Sequence, residues 1–382
     1  MNILLAPDSF KDSLTATEVC DHMRKGILKV NPDATIVSLP MADGGEGTLD
    51  ALTVATKGKI FVSPTFDSLM RPIEGKYAIL GDGETAVIEL AQASGLELLN
   101  PEERNPMLTN TFGTGILILE AFNRGCRKFN ICIGGSATHD VGTGILAALG
   151  IQFYDKSGND LIPTGGNLGT INRVEQSYDF DKFSNCEFQI ACDVTNPLLG
   201  VNGAAEVFSR QKGATEAQVL ALEGNTKSFS ILLKNQIGRD VSTLAGAGAA
   251  GGVGAGLCAF MDAKLESGFE IVARTTELEK AIRNADLIFT GEGKVDFQTQ
   301  FGKTPFGVAQ LAKKYEKLVF CLAGSVEEGA DALYEHGVTA FYSIVNQPMS
   351  LEEAIKRAPE LIEQTVENIM RSIRSQFENL SI

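Results

Sequence analysis

The sequence predicts an α/β protein of two domains: a doubly wound, Rossmann-like parallel-sheet domain built from both chain ends, and an inserted mixed α/β domain. Three observations lead there. The chain has 382 residues, more than one hydrophobic core comfortably serves. Both ends alternate short apolar runs with longer amphipathic stretches, the rhythm of a parallel sheet covered on two faces. The middle starts differently, with residues 58–90 alternating like antiparallel strands. These readings divide the chain into 1–60 with 280–382, and 61–279.

Residues 2–6 are a buried strand, followed by a loop at 7–14. Thr15 or Thr17 caps a helix running to about Val30, with Glu18 in its first turn. Asn31-Pro32-Asp33 ends it, residues 35–40 form a second strand, and residues 42–47 turn into another helix. In the middle, Gly81-Asp82-Gly83 reads as a hairpin turn. A helix at 113–124 and a strand at 129–133 follow, and Gly134-Gly135-Ser136 leads into a further helix. Residues 213–283 are mostly helical. Towards the end, 285–290 is a strand, 291–304 a loop, and Pro305 suits the first turn of a helix reaching about Lys314. Strands at 317–323 and 340–344 precede a helical tail at 351–377, expected to break near Pro359.

Composition excludes several classes. The formal net charge is −15, against a nucleic-acid partner. The seven Cys contain no C-x-x-C pair and the three His are scattered, so the cysteines read as small buried hydrophobes in a reduced compartment and no zinc cluster is visible. The first residues lack a basic n-region and a long apolar stretch, so a cytoplasmic protein is expected. The uncharged run 244–261 has the length of a membrane span but consists mostly of Gly and Ala, so no membrane role is expected.

Chemistry-bearing residues fall at strand ends, where doubly wound sheets bind ligands. After the first strand come Asp8, Ser9 and Lys11. Asp8 offers a proton acceptor for a hydroxyl and Lys11 a cation for a phosphoryl group; the alternative is an ordinary polar βα loop. Asp43-Gly44-Gly45-Glu46-Gly47-Thr48 pairs two carboxylates with glycines. Asp43 and Glu46 suit magnesium or substrate hydroxyls, or else an acidic helix start. Asp193 and Asn196 close another apolar strand as candidates for substrate or metal, Lys212 adds a cation, and the 134–136 turn suits an anion. Gly246-Ala247-Gly248-Ala249-Ala250-Gly251 formally fits G-x-G-x-x-G, but no strand precedes it; close backbone packing or a phosphate cradle fits better. Gly291, Glu292, Gly293, Lys294 and Asp296, with Gly302 and Lys303, are laid out like a phosphate-binding loop before a helix. The Walker pattern is absent, since Phe297 stands where it needs Gly. Asp296 is a candidate magnesium ligand.

Taken in order, the blocks 6–11, 40–48, 134–138, 192–198, 211–214, 246–252 and 291–298, with Thr299, Gly302 and Lys303, resemble the type-1 glycerate kinase family over nearly the whole chain. The resemblance implies ATP-dependent phosphorylation of D-glycerate, usually at the 2-hydroxyl in bacterial members, with the active site between two α/β domains. It departs from the usual pattern at Asp12 (often Gly), His139-Asp140-Val141-Gly142 (usually Asn-Asp-Gly-Gly), Ser209-Arg210 (usually Gly-Pro) and Lys294 (commonly Arg). On this reading Lys11 helps hold the glycerate carboxylate. Asp8 or Asp193 orients or deprotonates the attacking hydroxyl. Asp296 or Asp43 holds magnesium on ATP. Lys303 and the 291–293 backbone neutralise the transferring phosphoryl group. The rivals are 3-phosphoglycerate as product, an NAD(P)-dependent hydroxy-acid oxidoreductase resting on 246–251, which predicts NADH binding, and a non-catalytic ligand sensor, which predicts binding without turnover.

Overall fold

The computed structural model describes residues 1–300 and 302–379, without the side chains of residues 298, 300 and 374–379. The α/β class with parallel sheets is borne out, and the chain forms two compact units.

The first unit comprises Met1–Asp43, Asp50–Thr56 and the chain from Phe269. Its five strands are all parallel, in the order Ala340–Ser343, Leu318–Val326, Leu287–Val295, Asn2–Leu5, Thr35–Ser38. Alternation along the strands feeds two faces. Ile3, Leu5, Leu287, Phe289, Phe320 and Leu322 pack with Val19, Met23 and Ile27 of the helix Ala16–Leu28 and with Leu361, Ile362 and Val366 of the helix Leu351–Asn379. Their buried neighbours Leu4, Ile288 and Val319 point the other way. The helices Thr304–Lys313 and Leu278–Asn284 meet the sheet as well. Asn2–Leu5 winds to Thr35–Ser38 on one side, and Leu287–Val295 winds to Leu318–Val326 on the other. The winding therefore reverses between Asn2–Leu5 and Leu287–Val295, and such a switch point opens a crevice at the carboxyl ends of the strands.

Thr15 caps its helix through a reciprocal box: its hydroxyl accepts from the Glu18 amide at 3.3 Å, and the Glu18 carboxylate accepts from the Thr15 amide at 2.9 Å, worth about 1 kcal/mol. Two expectations fail here. The strand expected to end at 290 runs to Val295, paired along its length with Leu318–Val326. Gly291 permits this, since a Cβ there would strike the Leu322 carbonyl oxygen. The tail helix also passes through Pro359 unbroken. An interior proline costs about 3 kcal/mol, but Ala358, Leu361 and Ile362 are buried beside it, and each large apolar side chain returns about 2 kcal/mol.

The second unit comprises Gly44–Leu49 and Lys57–Gly268. Its main sheet has the order Lys264–Glu266, Glu187–Ala191, Lys128–Cys132, Thr85–Glu89, Pro72–Ile79, Lys59–Phe66; the first four are parallel and the last two antiparallel. The expected hairpin turn is closed by Asp82, which accepts from the amides of Glu84 and Thr85. Gly134-Gly135-Ser136 do not open a helix: Ser136 bridges to Gly95, and the next helix is Thr143–Ala148. The apolar run 244–261 is folded into this unit, ending in the helix Val253–Met261. Among the described residues no helix is long and apolar enough to cross a membrane. None of the seven cysteines forms a disulfide, and Cys20, Cys126, Cys132 and Cys321 are buried.

Candidate active site

Asp8 stands just past Asn2–Leu5 at the switch point, its amide bonded to the Gly291 carbonyl at 2.8 Å. One carboxylate oxygen accepts from the Ser9 amide at 2.6 Å and the other from the Thr304 hydroxyl at 2.6 Å. The fixed carboxylate is half-buried, and burial, followed by the charge of Asp43, pushes its pKa up to about 7; Glu292 adds to the rise. Three of the expected residues, Asp8, Asp43 and Glu292, thus form one electrostatic group. Burial also raises the Glu292 carboxyl above its ordinary value, against the Thr299 hydroxyl at 2.7 Å and Lys303 Nζ at 3.4 Å.

Lys303 caps the helix Thr304–Lys313 after a left-handed Gly302 (φ 98°). A helix start with an adjacent lysine favours an anion. Gly291, Glu292, Gly293 and Lys294 belong to the strand Leu287–Val295, which corrects the loop expected over 291–304. Gly293 instead makes room for the 10–11 backbone: a Cβ there would stand 3.2 Å from the Lys11 amide. Lys294 is exposed and pairs with Asp296 at 3.3 Å and Glu327 at 2.9 Å. Lys11 is exposed and makes no ion pair among the described residues. Phe301 and the Gln298 side chain, within the expected loop, lie outside the described residues.

In the second unit, polar groups gather at the carboxyl ends of the parallel strands. Asp193 follows Glu187–Ala191 and accepts from Ser267 Oγ at 2.8 Å and the Gly268 amide at 3.1 Å. Asn196 donates to the Asn202 carbonyl at 2.9 Å and so ties its own loop together. Glu46 is exposed. Gly44 has φ 88°, and a Cβ there would lie 2.7 Å from Ala191 Cβ and 2.9 Å from Gly268 Cα. Lys212 is fully buried, so it presents no surface cation.

The 246–252 glycines serve packing. A Cβ on Gly248 would strike the Pro197 carbonyl, and one on Gly251 the Thr138 carbonyl. Among the described residues the element directly before the run is the helix Glu216–Ile237 and not a strand, and the dinucleotide alternative loses its basis. Sequence reasoning missed Ser267, which follows a strand of only three residues with no readable periodicity. It also missed Glu89, a buried carboxylate that accepts from the Leu49 amide at 2.9 Å; an acid ending the apolar run 86–88 was the available signal.

Carboxylates, lysines and a helix start at the carboxyl ends of parallel strands define a small-molecule α/β enzyme. The profile described as "Glycerate kinase family" matches residues 3–374. A glycerate 2-kinase of Escherichia coli K12 is 43% identical over 379 residues, covering 99% of this chain and 100% of that protein. A glycerate kinase of Halalkalibacterium halodurans is 43% identical over 367 residues, covering 96% and 97%. A crystal structure described as a candidate glycerate kinase 2 from Salmonella typhimurium LT2 matches with TM-score 0.91 at 40% identity, covering 99% of each chain. The chain belongs to the glycerate kinase family.

Proposed function

We propose that this enzyme transfers the γ-phosphoryl group of ATP to D-glycerate and that the product is 2-phosphoglycerate. The observation that carries the reading is the likeness to a named glycerate 2-kinase over 99% of this chain and 100% of that protein. The chemistry at the first switch point supports it. A hydroxyl oxygen of glycerate attacks the γ-phosphorus, its proton passes to Asp8, and ADP leaves. Asp8 suits that proton because its pKa lies near neutral and its two oxygens are already oriented. Asp193 is tied by two donors and fits better as an orienting contact for the substrate, with Asn196 and Glu46 as further candidates. Lys303 and the start of the helix Thr304–Lys313 receive phosphate charge. Ser9 and Lys11 complete the proposed contacts at the first strand end.

Among the described residues no group of three or more His, Cys, Asp or Glu is placed to hold a metal. Magnesium needs no such cage: one or two carboxylates with phosphate oxygens suffice. Asp43 fits that role, since its charge already bears on Asp8; Asp296 lies against Lys294 and fits less well. Bound there with ATP, the ion would screen the triphosphate charge. A reaction drawing on ATP suits the cytoplasm.

The test is to incubate the protein with ATP, magnesium and D-glycerate and to identify the product by phosphorus NMR, with L-glycerate as control. A 2-phosphoglycerate signal is expected with the D isomer. A 3-phosphoglycerate signal would move the attack to the other hydroxyl, and no phosphorylated product would end the kinase reading.

A further inference from the structure

We infer that the exposed turn at Gly134 and Gly135, backed by the buried Lys212, is an anion-binding subsite of this enzyme. The inference rests on the kinase reading, which supplies two anionic ligands, and it assigns one of them a place.

The turn leaves Lys128–Cys132, an inner strand of the parallel set, at its carboxyl end, where such sheets bind ligands. Both glycines are exposed, and their amides donate to no group among the described residues. Gly135 is left-handed at φ 68°. Consecutive unspent N–H groups in such a turn form an anion-binding concavity. A Cβ on Gly134 would stand 3.2 Å from Gly45 Cα, so a side chain would crowd the approach.

The second observation lies behind the turn. Lys212 is 1% exposed, and its Nζ donates to Ser136 Oγ at 2.7 Å and to the Thr138 carbonyl at 2.7 Å. No carboxylate lies within ion-pair distance of it among the described residues. An ammonium buried without a counter-ion is expensive to keep. An anion seated on the 134–135 amides, one residue from Ser136, supplies the missing counter-charge. The groups around Lys212 do not replace it. Asp140 attracts it from beyond bonding distance while accepting from the Thr111 amide and hydroxyl and the Gly144 amide. Burial and Lys212 hold His139 neutral, its pKa pushed down to about 3. Arg104, against Gly213, has a buried Nε without a partner. Glu89, on the neighbouring strand, is engaged by Leu49 and Gln92.

Burial pushes the Lys212 ammonium down to about 7. Above that pH the ligand-free protein has lost the charge, and an arriving anion draws a proton back. The anion is a carboxylate or a phosphate, and calorimetry separates the two. The full-length protein is titrated at pH 8 with D-glycerate alone and with ATP alone, each in two buffers of different ionisation enthalpy. Proton uptake of up to one per site is expected with one ligand; glycerate would assign the carboxylate and ATP the phosphates. Lys212→Met should abolish the uptake, and Asp8→Asn should retain it. Gly134→Ala, which adds a Cβ 3.2 Å from Gly45 Cα on an exposed turn, should weaken the same ligand by about tenfold, or ~1.4 kcal/mol, with circular dichroism confirming that the variant is folded. No uptake with either ligand, uptake unchanged in Lys212→Met, or normal affinity in Gly134→Ala would overturn the subsite. A protein that turns over D-glycerate yet shows none of these effects loses the subsite and keeps the kinase activity; one without turnover loses the kinase reading itself.

Discussion

Asp8 in the first unit and Lys212 in the second both titrate at about 7, one raised from a carboxylate's ordinary value and the other lowered from a lysine's. Burial is the leading cause in each case, because desolvation favours whichever form is neutral. Their neighbours differ. Asp8 has two further acids near it, Asp43 and Glu292, whose charges add to the rise. Among the described residues, Asp140 is the charge that pulls Lys212 the other way. The first cluster is therefore short of positive charge and the second of negative charge. A proton or a divalent cation relieves the first; an anion relieves the second.

The largest expected effect tests the first half of that contrast. Asp8→Asn should lower kcat by about 10²–10⁴-fold, the usual range for a lost general base, with the KM for ATP changed far less. In the wild type, kcat should rise with pH through about 7 as Asp8 ionises, and the residual activity of the variant should lack that limb. A variant within about threefold of wild type would remove Asp8 from the proton-transfer role.

The same residue makes a stability prediction of smaller size. Folding raises the Asp8 pKa from 3.8 to about 7. Its stabilising contribution is thus complete below about pH 4, is lost as pH rises through about 7, and stays lost above. Asp8→Asn should therefore match the wild-type melting temperature near pH 4 and exceed it at pH 8. Equal differences at both pH values would show that burial does not set the Asp8 pKa.

The smallest effect compares two departures from the family pattern. Asp12 and Val141 stand where glycine is usual, and both have left-handed backbones, at φ 61° and 56°. That conformation costs a side-chain-bearing residue about 1–2 kcal/mol. Asp12 is exposed and Val141 fully buried in the second unit's core. Asp12→Gly should raise the melting temperature by about 1–2 °C. Val141→Gly should lower it, since the lost burial of roughly 2 kcal/mol exceeds the strain relieved. Thermal unfolding of the two variants checks the sign of each.

What could be read from the sequence followed local chemistry. The Thr15 cap with Glu18, the Asp82 turn and the polar strand ends at Asp8 and Asp193 were all legible, because each depends on residues a few positions apart. What could not be read depended on partners far along the chain. Gly291 and Gly293 read as a loop because glycine weakens a strand; the pairing of Gly291, Glu292, Lys294 and Val295 with Leu318–Val326 carries the strand through them. Pro359 looked like a break because its cost is local and its compensation is tertiary. Thr304 and Ser267, which hold Asp8 and Asp193, lie 296 and 74 residues from those partners, and no spacing rule reaches that far.

The central claim is tested most directly by following ADP release from ATP and magnesium with and without D-glycerate. The account predicts release that depends on D-glycerate and saturates with it. Release that proceeds at the same rate without glycerate, or no release from protein shown to bind ATP, would contradict it.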